Sequence, residues 1–526
     1  MLTSAKKQSI MKTIKLLSII FLVYVYGLSS AQVMFQKTYG GNTADGSRSV
    51  FRTIDNGYIM IGHTLSFGVG NTAVYIIKTD LNGDTLWTKT IGGINYGDYG
   101  RTVTQTTDGG YIIAGTYGGG AYIFNDILLI KIDSNANLEW TKTYGGTESD
   151  HGYSVKQTLD GGYIVAGDTG SFGADSSDVY LIKTDSNGDT LWTKIYNSPS
   201  EDFAFDMQQT IDGGYIIGGA AGLDMYLLKT DTSGNIQWAK KIGGINKDYG
   251  YSVKQTTDGG YIFVGTTNSF LNGDDDIYLI KTDSYGDTLW TKSYGGSSQE
   301  VGTSVQQTFD NGYIVAGYTY SFGAGSHDVF LFKTDANGNL LWSKTYGGPY
   351  SDMGISVLQT SDQGYVIAGN TDSYSPGSYD VYLIKTDSNG NTSCNQGSPL
   401  TTVNSPATHV LNVIPNITTG AIVTVPVVIV GKGGTLKNPC ALSINELPAE
   451  APVDIYPNPF STEITVNQTS STGEFILMDI TGKEVLRQKT VEGNTILSTL
   501  DLTPGLYVGC YTEKSKFSNI KLTKYR

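Results

Sequence analysis

The stretch Asp160-Gly161-Gly162-Tyr163-Ile164-Val165-Ala166-Gly167 decides the fold, because its pattern occurs seven times along the chain. The copies recur about every 52 residues, with tyrosines at Tyr58, Tyr111, Tyr163, Tyr215, Tyr261, Tyr313 and Tyr365. The six tryptophans of the protein follow the same period, at Trp87, Trp140, Trp192, Trp238, Trp290 and Trp342. A fixed period of this length with strand-like content predicts a closed radial array of small β-sheets.

One repeat contains four short strands joined by tight turns. In the third copy, an alternating run over 154–158 leads through a glycine turn into the apolar runs 163–167 and 179–182. A second turn at 186–189 precedes the tryptophan strand 190–194. β-Branched and aromatic residues fill the runs, and Gly, Asn and Asp fill the joints. Lysines on the tryptophan strand predict that it forms the outer edge of each sheet.

The seventh repeat lacks a tryptophan strand, and a matching segment occurs at the other end of the sequence. Phe35-Gln36-Lys37-Thr38-Tyr39-Gly40-Gly41 matches Trp342-Ser343-Lys344-Thr345-Tyr346-Gly347-Gly348, with Phe35 in the place of the tryptophan. An amino-terminal strand that completes the last sheet removes the free edges. We therefore predict an all-β protein with a seven-bladed β-propeller over residues 32–388.

The repeat also resembles a known family. The residues Asp248-Tyr249-Gly250-Tyr251-Ser252, Gly259-Gly260-Tyr261-Ile262 and Ile277-Tyr278-Leu279-Ile280-Lys281 carry this resemblance. They are similar to the bacterial β-propeller repeats abbreviated SBBP. The resemblance implies the fold and indicates no ligand.

Residues 1–31 have the pattern of a secretory signal peptide. Four lysines precede an apolar core at 16–28, which is short for a membrane span. Small residues end the segment, which predicts cleavage between Ala31 and Gln32. A retained amino-terminal anchor is the alternative; the predicted mature chain contains no transmembrane segment.

The last part of the chain, 451–526, does not repeat and contains a series of short motifs. The motif residues are Tyr456, Pro457, Asn458, Pro459, Gly482, Lys483, Gly505 and Tyr507. This segment resembles the type A carboxy-terminal sorting domain of the type IX secretion system. The resemblance implies a small β-sandwich, the type IX secretion machinery as a partner, and a protein that is secreted or held at the outer cell surface. An ordinary small β module is the alternative.

Between these regions, the stretch 389–450 is rich in Thr, Val and Pro, and we interpret it as a linker with some strand content. Cys394 and Cys440 lie near its two ends. Because secretion permits disulfides, we predict a bond between them. Cys510 is predicted to be a buried thiol.

The charge of the chain limits its partners. The formal net charge is −14, and loss of the four lysines of the signal peptide makes the mature chain more negative still. A surface of this sign repels phosphate backbones, so neither nucleic acid nor an anionic membrane surface is an expected partner.

No nucleophile, metal-ligand or phosphate-loop motif occurs in the sequence, and we predict neither a metal nor a cofactor. An acidic residue precedes the first strand of every repeat: Asp45, Asp98, Asp150, Asp202, Asp248, Glu300 and Asp352. One interpretation is that each carboxylate accepts backbone hydrogen bonds and fixes a loop between sheets. The other is a negative rim at one mouth of the channel that binds cations or a basic ligand.

The loops between the second and third strands vary most, and loops on a rigid scaffold commonly carry recognition. Candidate binding residues there are Tyr117, Tyr122, Phe124 and Tyr374. They either stack on sugar rings or pack locally. We expect a binding or adhesion module for a glycan or a protein; the alternatives are an exported enzyme acting on polysaccharide or peptide, and a structural component of an extracellular matrix.

Overall fold

The computed structural model describes residues 32–68, 71–93, 97–118, 124–173, 177–270, 274–375, 377–392, 394–404, 408–412, 416–418, 422–424, 429–431, 435–437, 453–456, 462–479, 483–503, 505–513 and 516–524. These residues form β-strands and turns with no helix among them, so the all-β prediction is confirmed. They divide into two compact units, 1–440 and 441–526.

Seven sheets in the first unit share one plan, in which four antiparallel strands come from a repeat and a fifth comes from elsewhere. The first strands of the sheets are β2 (Asp45–Arg52), β6 (Tyr99–Gln105), β10 (Asp150–Gln157), β14 (Asp202–Gln209), β18 (Asp248–Gln255), β22 (Glu300–Gln307) and β26 (Asp352–Gln359). Each first strand contacts the first strand of the next sheet, and β26 contacts β2. The seven sheets therefore form a ring around these strands.

The second and third strands are almost entirely buried, which agrees with sheets covered on both faces. The second strands are β3 (Tyr58–Thr64), β7 (Tyr111–Tyr117), β11 (Tyr163–Thr169), β15 (Tyr215–Ala221), β19 (Tyr261–Thr267), β23 (Tyr313–Thr319) and β27 (Tyr365–Thr371). The third strands are β4 (Ala73–Thr79), β8 (Asp126–Ile132), β12 (Asp178–Thr184), β16 (Asp224–Thr230), β20 (Asp276–Thr282), β24 (Asp328–Thr334) and β28 (Asp380–Thr386). Apolar clusters join neighbouring sheets, as where Ile112 packs with Tyr163 and Val165.

The fourth strands are partly exposed and carry the tryptophans. They are β5 (Thr85–Gly92), β9 (Leu138–Gly145), β13 (Thr190–Asn197), β17 (Ile236–Gly243), β21 (Thr288–Gly295) and β25 (Leu340–Tyr346). The seventh sheet takes its fourth strand from the amino-terminal region: β1 (Phe35–Gly40) pairs antiparallel with β28, from Phe35 opposite Lys385 to Tyr39 opposite Val381. This is the closing strand that the sequence predicts.

The ring of Trp140 fills the space between two sheets by covering a glycine turn of the next sheet. A Cβ atom on Gly188 would lie 2.9 Å from Trp140, and the φ of 77° at this turn also favours glycine. Phe35 covers Gly83 in the same way, at 2.7 Å. Tyr39 donates a hydrogen bond to the carbonyl of Gly83 at 2.6 Å, as the corresponding tyrosines of other sheets do across their own interfaces. β1 therefore reproduces the contacts of a tryptophan strand.

The described strands of the stretch 396–437, which the sequence presents as part of a linker, lie along the outside of the ring. We call it the outer belt. It adds one short antiparallel strand to every sheet in turn, and its strands are β29 (Gln396–Gly397), β30 (Thr402–Asn404), β31 (His409–Asn412), β32 (Asn416–Thr418), β33 (Ile422–Thr424), β34 (Ile429–Gly431) and β35 (Thr435–Lys437).

The outer belt visits the sheets in the reverse of their sequence order, from the partner of β25 back to the partner of β5. Its last strand, β35, pairs with β1. The tryptophan strands are therefore not the outermost strands, as their lysines had suggested. The belt pairs with their buried carboxy-terminal ends. In most of these strands the lysine precedes the paired residues, whereas in β17 Lys240 and Lys241 pair with Asn412 and Leu411.

Cys394 is disulfide-bonded. Its predicted partner, Cys440, lies outside the described residues, and the pairing of these two cysteines stays a prediction. The predicted cleavage site also stays a prediction, because Ala31 lies outside the described residues. Gln32 on its other side donates a hydrogen bond to the carbonyl of Asp362 at 3.1 Å.

The second unit contains one antiparallel sheet formed by β36 (Val453–Tyr456), β37 (Glu463–Asp479), β38 (Glu484–Ser498), β39 (Gly505–Glu513) and β40 (Lys516–Lys524). Strand β37 pairs with three of the other strands, and its pairing with β38 shifts register between Gln468 and Thr472. Phe475, Leu477 and Tyr507 contribute to its apolar core. The described strands are thus connected by hydrogen bonds through β37, and the sandwich packing that the resemblance implies stays a prediction.

Candidate functional site

The first strands of the seven sheets surround a central cavity of about 460 Å³. This volume lies within the range of small-molecule binding sites, which is roughly 300 to 1,000 Å³. The amino-terminal ends of these strands lie at the same end of the ring as the loops between second and third strands, because Asp45 pairs with Thr64 at the end of β3. We call this end of the cavity the channel mouth.

The side chains that line the channel mouth differ from one repeat to the next. Three residues after the repeated acid, the seven first strands carry Arg48, Arg101, Tyr153, Phe205, Tyr251, Thr303 and Ile355. All of them except Ile355 are polar or aromatic, and all seven line the cavity. The core position two residues further on stays nearly constant, as shown by Val50, Val103 and Val253. The variable side chains three residues after the acid therefore make one side of the cavity different from the other.

Two arginines lie next to each other on β2 and β6. Arg48 and Arg101 are half-buried, and neither forms a hydrogen bond or an ion pair with any residue that the structure describes. Burial and the positive charge of Arg101 lower the pKa of Arg48. Burial, followed by the positive charges of Arg48 and Arg101, lowers the pKa of the neighbouring His63 to about 4. This imidazole is therefore neutral at pH 7.

Aromatic rings continue the wall of the mouth from the arginines over three sheets. The guanidinium of Arg101 lies 5.4 Å from the ring centroid of Tyr153. Tyr153 contacts Phe205 edge-on at 5.2 Å, and Phe205 contacts Tyr251 at 5.5 Å. Phe203 stacks on Phe205 at 5.8 Å with an interplanar angle of 5°. The mouth thus joins two positive charges to a continuous aromatic surface.

Further along the first strands, the cavity contains a cluster of charged residues. Asp206 forms an ion pair with Lys254, and it also accepts hydrogen bonds from Ser252 and from the backbone amide of Val253, both at 3.1 Å. Burial lowers the pKa of Lys156 beside them to about 8. Lys254 and Asp206 neutralise each other, in contrast to the arginines at the mouth.

The inner edges of the first strands are closed to further backbone pairing at several sheets. The amide of Val357 donates to Ser304 Oγ at 3.2 Å, and the amide of Val253 donates to the carboxylate of Asp206. Lower in the ring, glutamine side chains accept from backbone amides of the preceding sheet, as Gln157 does from Thr107 at 2.8 Å. A ligand in the channel would therefore contact side chains, because these backbone amides already have hydrogen-bond acceptors.

The seven repeated acids lie between the sheets and are buried, with exposed fractions of 0 or 1 %. Asp45 accepts hydrogen bonds from the amide of Gly41 at 2.7 Å and from Ser66 Oγ at 2.6 Å. Asp150 makes the same contacts with Gly146 and Ser171. This geometry corresponds to the loop-fixing interpretation, and it leaves no exposed rim of these carboxylates at the mouth.

Each of these acids except Asp98 has a second aspartate close by, at the start of the preceding third strand. Burial and the nearby Glu300 raise the pKa of Asp276 to about 7. Burial and Asp150 raise the pKa of Asp126 to about 6. A Cβ atom on Gly295 would lie within 2.8 Å of both Asp276 and Glu300, so glycine is needed to let the two carboxyl groups approach.

These carboxyl pairs predict that acidification from pH 8 to pH 5 removes a penalty on the fold. Since the pKa of Asp276 is higher in the folded chain than its unfolded value of about 3.9, its stabilising contribution is complete at low pH and is lost as the pH rises through 7. The free energy of unfolding of Asp276→Asn minus that of the natural protein should therefore increase by on the order of 2 kcal/mol when the pH is raised from 5 to 8.

Thermal melts of both proteins at pH 5 and pH 8 test this. The comparison is made as a difference because His63, whose pKa is lowered, shifts stability in the opposite direction in both proteins. Asp501→Asn, at an exposed site in the second unit, serves as the control. An equal difference between D276N and the natural protein at the two pH values would contradict the prediction.

Three of the four loop aromatics chosen from the sequence are described. Tyr374 packs on Tyr382 with centroids 5.8 Å apart, and its hydroxyl donates to the carbonyl of Gly347 at 2.8 Å. Tyr117 packs against the core of its own sheets. Phe124 is exposed, and Tyr122 lies outside the described residues. Tyr374 and Tyr117 thus pack locally, and the aromatic surface of the ring end lies on the first strands instead.

The sorting motif is described in part. Pro457, Asn458, Pro459 and Gly482 lie outside the described residues. Tyr456 ends β36, Gly505 begins β39, and Lys483 is exposed just before β38. Tyr507 is buried, and its hydroxyl donates to the carbonyl of Thr503 at 2.6 Å.

Similarity to known proteins covers different parts of the chain. The regulatory protein FlaEY of Caulobacter vibrioides is 27% identical over 143 residues, which are 23% of this chain and 15% of that protein. The chain therefore matches well under two thirds of the length of this curated relative. Sqt1 from Chaetomium thermophilum has a TM-score of 0.39 at 11% identity, covering 63% of this chain and 81% of its own. Penicillium chrysogenum alpha-L-arabinanase has a TM-score of 0.35 at 11% identity, covering 66% and 97%.

The carboxy-terminal part of the chain matches a family model. Residues 454–524 match the secretion system C-terminal sorting domain. In the part of the chain that the structure describes, no helix is both long and apolar enough to cross a membrane. The protein carries a sorting domain of the type IX secretion system and is exported to the cell surface or secreted.

Proposed function

We propose that the mature protein is a secreted or cell-surface binding module and that the channel mouth is its ligand site. The observation that carries this proposal is the set of side chains that line the mouth, three residues after the repeated acid. There Arg48, Arg101 and Tyr153 give one side of the cavity two positive charges and an aromatic ring, which the packing of the repeat does not require. Loop and strand ends of a rigid scaffold are common sites of recognition.

The lining of the cavity supports binding over hydrolysis. Glycoside hydrolysis generally needs two carboxyl groups on either side of the scissile bond. The described lining contains one carboxylate, Asp206, which is paired with Lys254. The proposed role is recognition of a glycan or protein in adhesion or scavenging, after removal of residues 1–31 and export by the type IX machinery.

Binding of the mature protein to an array of glycans, with and without changes at the mouth, tests the proposal. Phe205→Ala removes the centre of the aromatic wall, and we expect it to weaken binding of any retained glycan by about tenfold or more. Tyr285→Ala is the matched control, because Tyr285 is an exposed aromatic residue on a turn at the other end of the ring.

Two results would overturn the proposal. One is binding by F205A as strong as that of the natural protein, with both proteins folded by circular dichroism. The other is the appearance of discrete cleavage products when the same glycans are incubated with the protein, which would indicate an enzyme.

A further inference from the structure

The two arginines of the channel mouth form no ion pair with any residue that the structure describes. Arg101 Nε is buried and lacks a hydrogen-bond partner, and Arg48 lies beside it on the next first strand. Two like charges in a half-buried site repel each other more strongly than in water. Donors without a partner in such a site also carry a desolvation cost. Such an arrangement becomes favourable when an anionic group accepts hydrogen bonds from both guanidinium groups.

None of the nearby described acids forms an ion pair with either arginine. The repeated acids lie between the sheets and are engaged with loop amides, and the one cavity carboxylate, Asp206, is paired with Lys254. Asp168 near the mouth contacts His151 and Ser177 through Oδ2, each at 3.1 Å, while its buried Oδ1 has no hydrogen-bond partner among the described residues. His63 packs against Tyr99 and forms a hydrogen bond with the hydroxyl of Tyr379, and as a neutral imidazole it cannot balance the arginine charges.

We infer that the ligand is the acidic end of a saccharide, whose carboxylate binds Arg48 and Arg101 while a sugar ring packs on Tyr153 and Phe205. This inference rests on the proposed function and names the ligand class of the same site. The aromatic wall begins at the arginines, since Arg101 lies over the ring of Tyr153. A sugar acid places its charge and its apolar ring face close together, as the two parts of this wall require.

Two observations favour a sugar acid over other anions. The net charge of −14 repels long polyanions, so a ligand with one or a few acidic groups fits the site better than a charged polymer. An extended acidic peptide commonly binds by adding a strand to a free sheet edge. Here inner-edge amides such as those of Val253 and Val357 already donate to side chains of the neighbouring sheet.

Calorimetric titration of the mature protein with matched sugars tests the inference. The probes are short oligosaccharides of glucuronate, galacturonate and mannuronate, each beside its carboxyl-reduced neutral counterpart. We expect at least one acidic oligosaccharide to bind about tenfold more tightly than its neutral counterpart. Because the attraction is electrostatic, this preference should shrink as sodium chloride is raised.

Arginine variants locate the contact. Arg48→Gln combined with Arg101→Gln should abolish the preference for the acidic sugar. Arg52→Gln is the matched control, because Arg52 lines the other end of the same cavity and donates to Asn56 and Ser361. Thermal melts show whether each variant is folded; replacing Arg101 alone gives a second, milder test, in which the preference should fall while the melt is unchanged.

The outcomes separate the inference from the proposed function. Equal binding of acidic and neutral sugars, or an unchanged preference in R48Q/R101Q, overturns the acidic ligand and leaves the binding module standing. A short polyglutamate peptide that binds at the mouth more tightly than every sugar also overturns it. If none of the acidic sugars binds, the inference fails, and neutral sugars on the glycan array then decide the fate of the proposed function.

Discussion

A chain that lacks residues 32–41 is expected to melt at least about 10 °C lower than the natural protein, or to remain unfolded after expression. The deletion removes β1, whose six residues are all buried. It takes away the pairing partner of β28 and also that of β35. Phe35 and Tyr39 are lost with it, and both belong to the apolar cluster that joins the seventh sheet to the first.

Single substitutions separate the packing of β1 from its backbone pairing. Phe35→Ala should destabilise the ring by about 3 to 5 kcal/mol, because it empties the space over Gly83. Met34→Ala, one residue earlier and 40% exposed, should change stability by less than about 1 kcal/mol. Thermal or denaturant unfolding measures all three proteins. Unchanged melting after the deletion would show that the ring does not depend on β1.

A chain that ends at residue 392 is expected to fold as a ring and then to self-associate. It lacks the outer belt, so the carboxy-terminal ends of seven outer strands lose their hydrogen-bond partners at once. Exposed strand edges pair with other chains. Each lost hydrogen bond contributes at most about 1 kcal/mol to the free energy of unfolding, because the conformational entropy lost on ordering the belt offsets part of its gain. We therefore expect a lower melting temperature together with dimers and larger species in light scattering.

The matched comparison is a chain that ends at residue 440. Cys394→Ser in that longer chain removes the disulfide of Cys394 and keeps the belt, so the two effects are measured separately. We expect the C394S chain to stay monomeric. A monomeric chain ending at 392, with the melting temperature of the longer one, would show that the belt contributes nothing to the ring.

The ring could be predicted because its information is local and repeated. Each turn glycine, each short apolar run and each tryptophan recurs with the period, and the match of Phe35 to Trp342 identifies the closing strand. Strand boundaries follow from turns such as Asp160-Gly161-Gly162, where Gly161 has a φ of 84°.

The outer belt was not predictable in the same way. Its strands are two to four residues long and lie between prolines, as at Pro406 and Pro415. A strand of three residues has no periodicity that can be read from a sequence. Its pairing is decided by the seven sheet edges already present, which are tertiary features of the ring.

The candidate site was not predicted, because its residues lie on the first strands and the variable loops contribute none of the aromatic wall. Arg48, Arg101 and Tyr153 stand at one repeat position, and aligning the seven copies reveals it. Tyr374 was predicted as a binding residue, although it occupies a repeated position: it follows Ser373 as Phe322 follows Ser321. Its repeat position predicts the local packing that the structure shows.

The most direct test of the central claim is a crystal structure of residues 32–440 of the protein. The account predicts seven sheets around one channel, with β1 between β28 and β35 and the ring of Phe35 against Gly83. It also predicts Arg48 and Arg101 side by side at the mouth. Six or eight sheets, or a segment 35–40 that is not paired with 380–386, would contradict it.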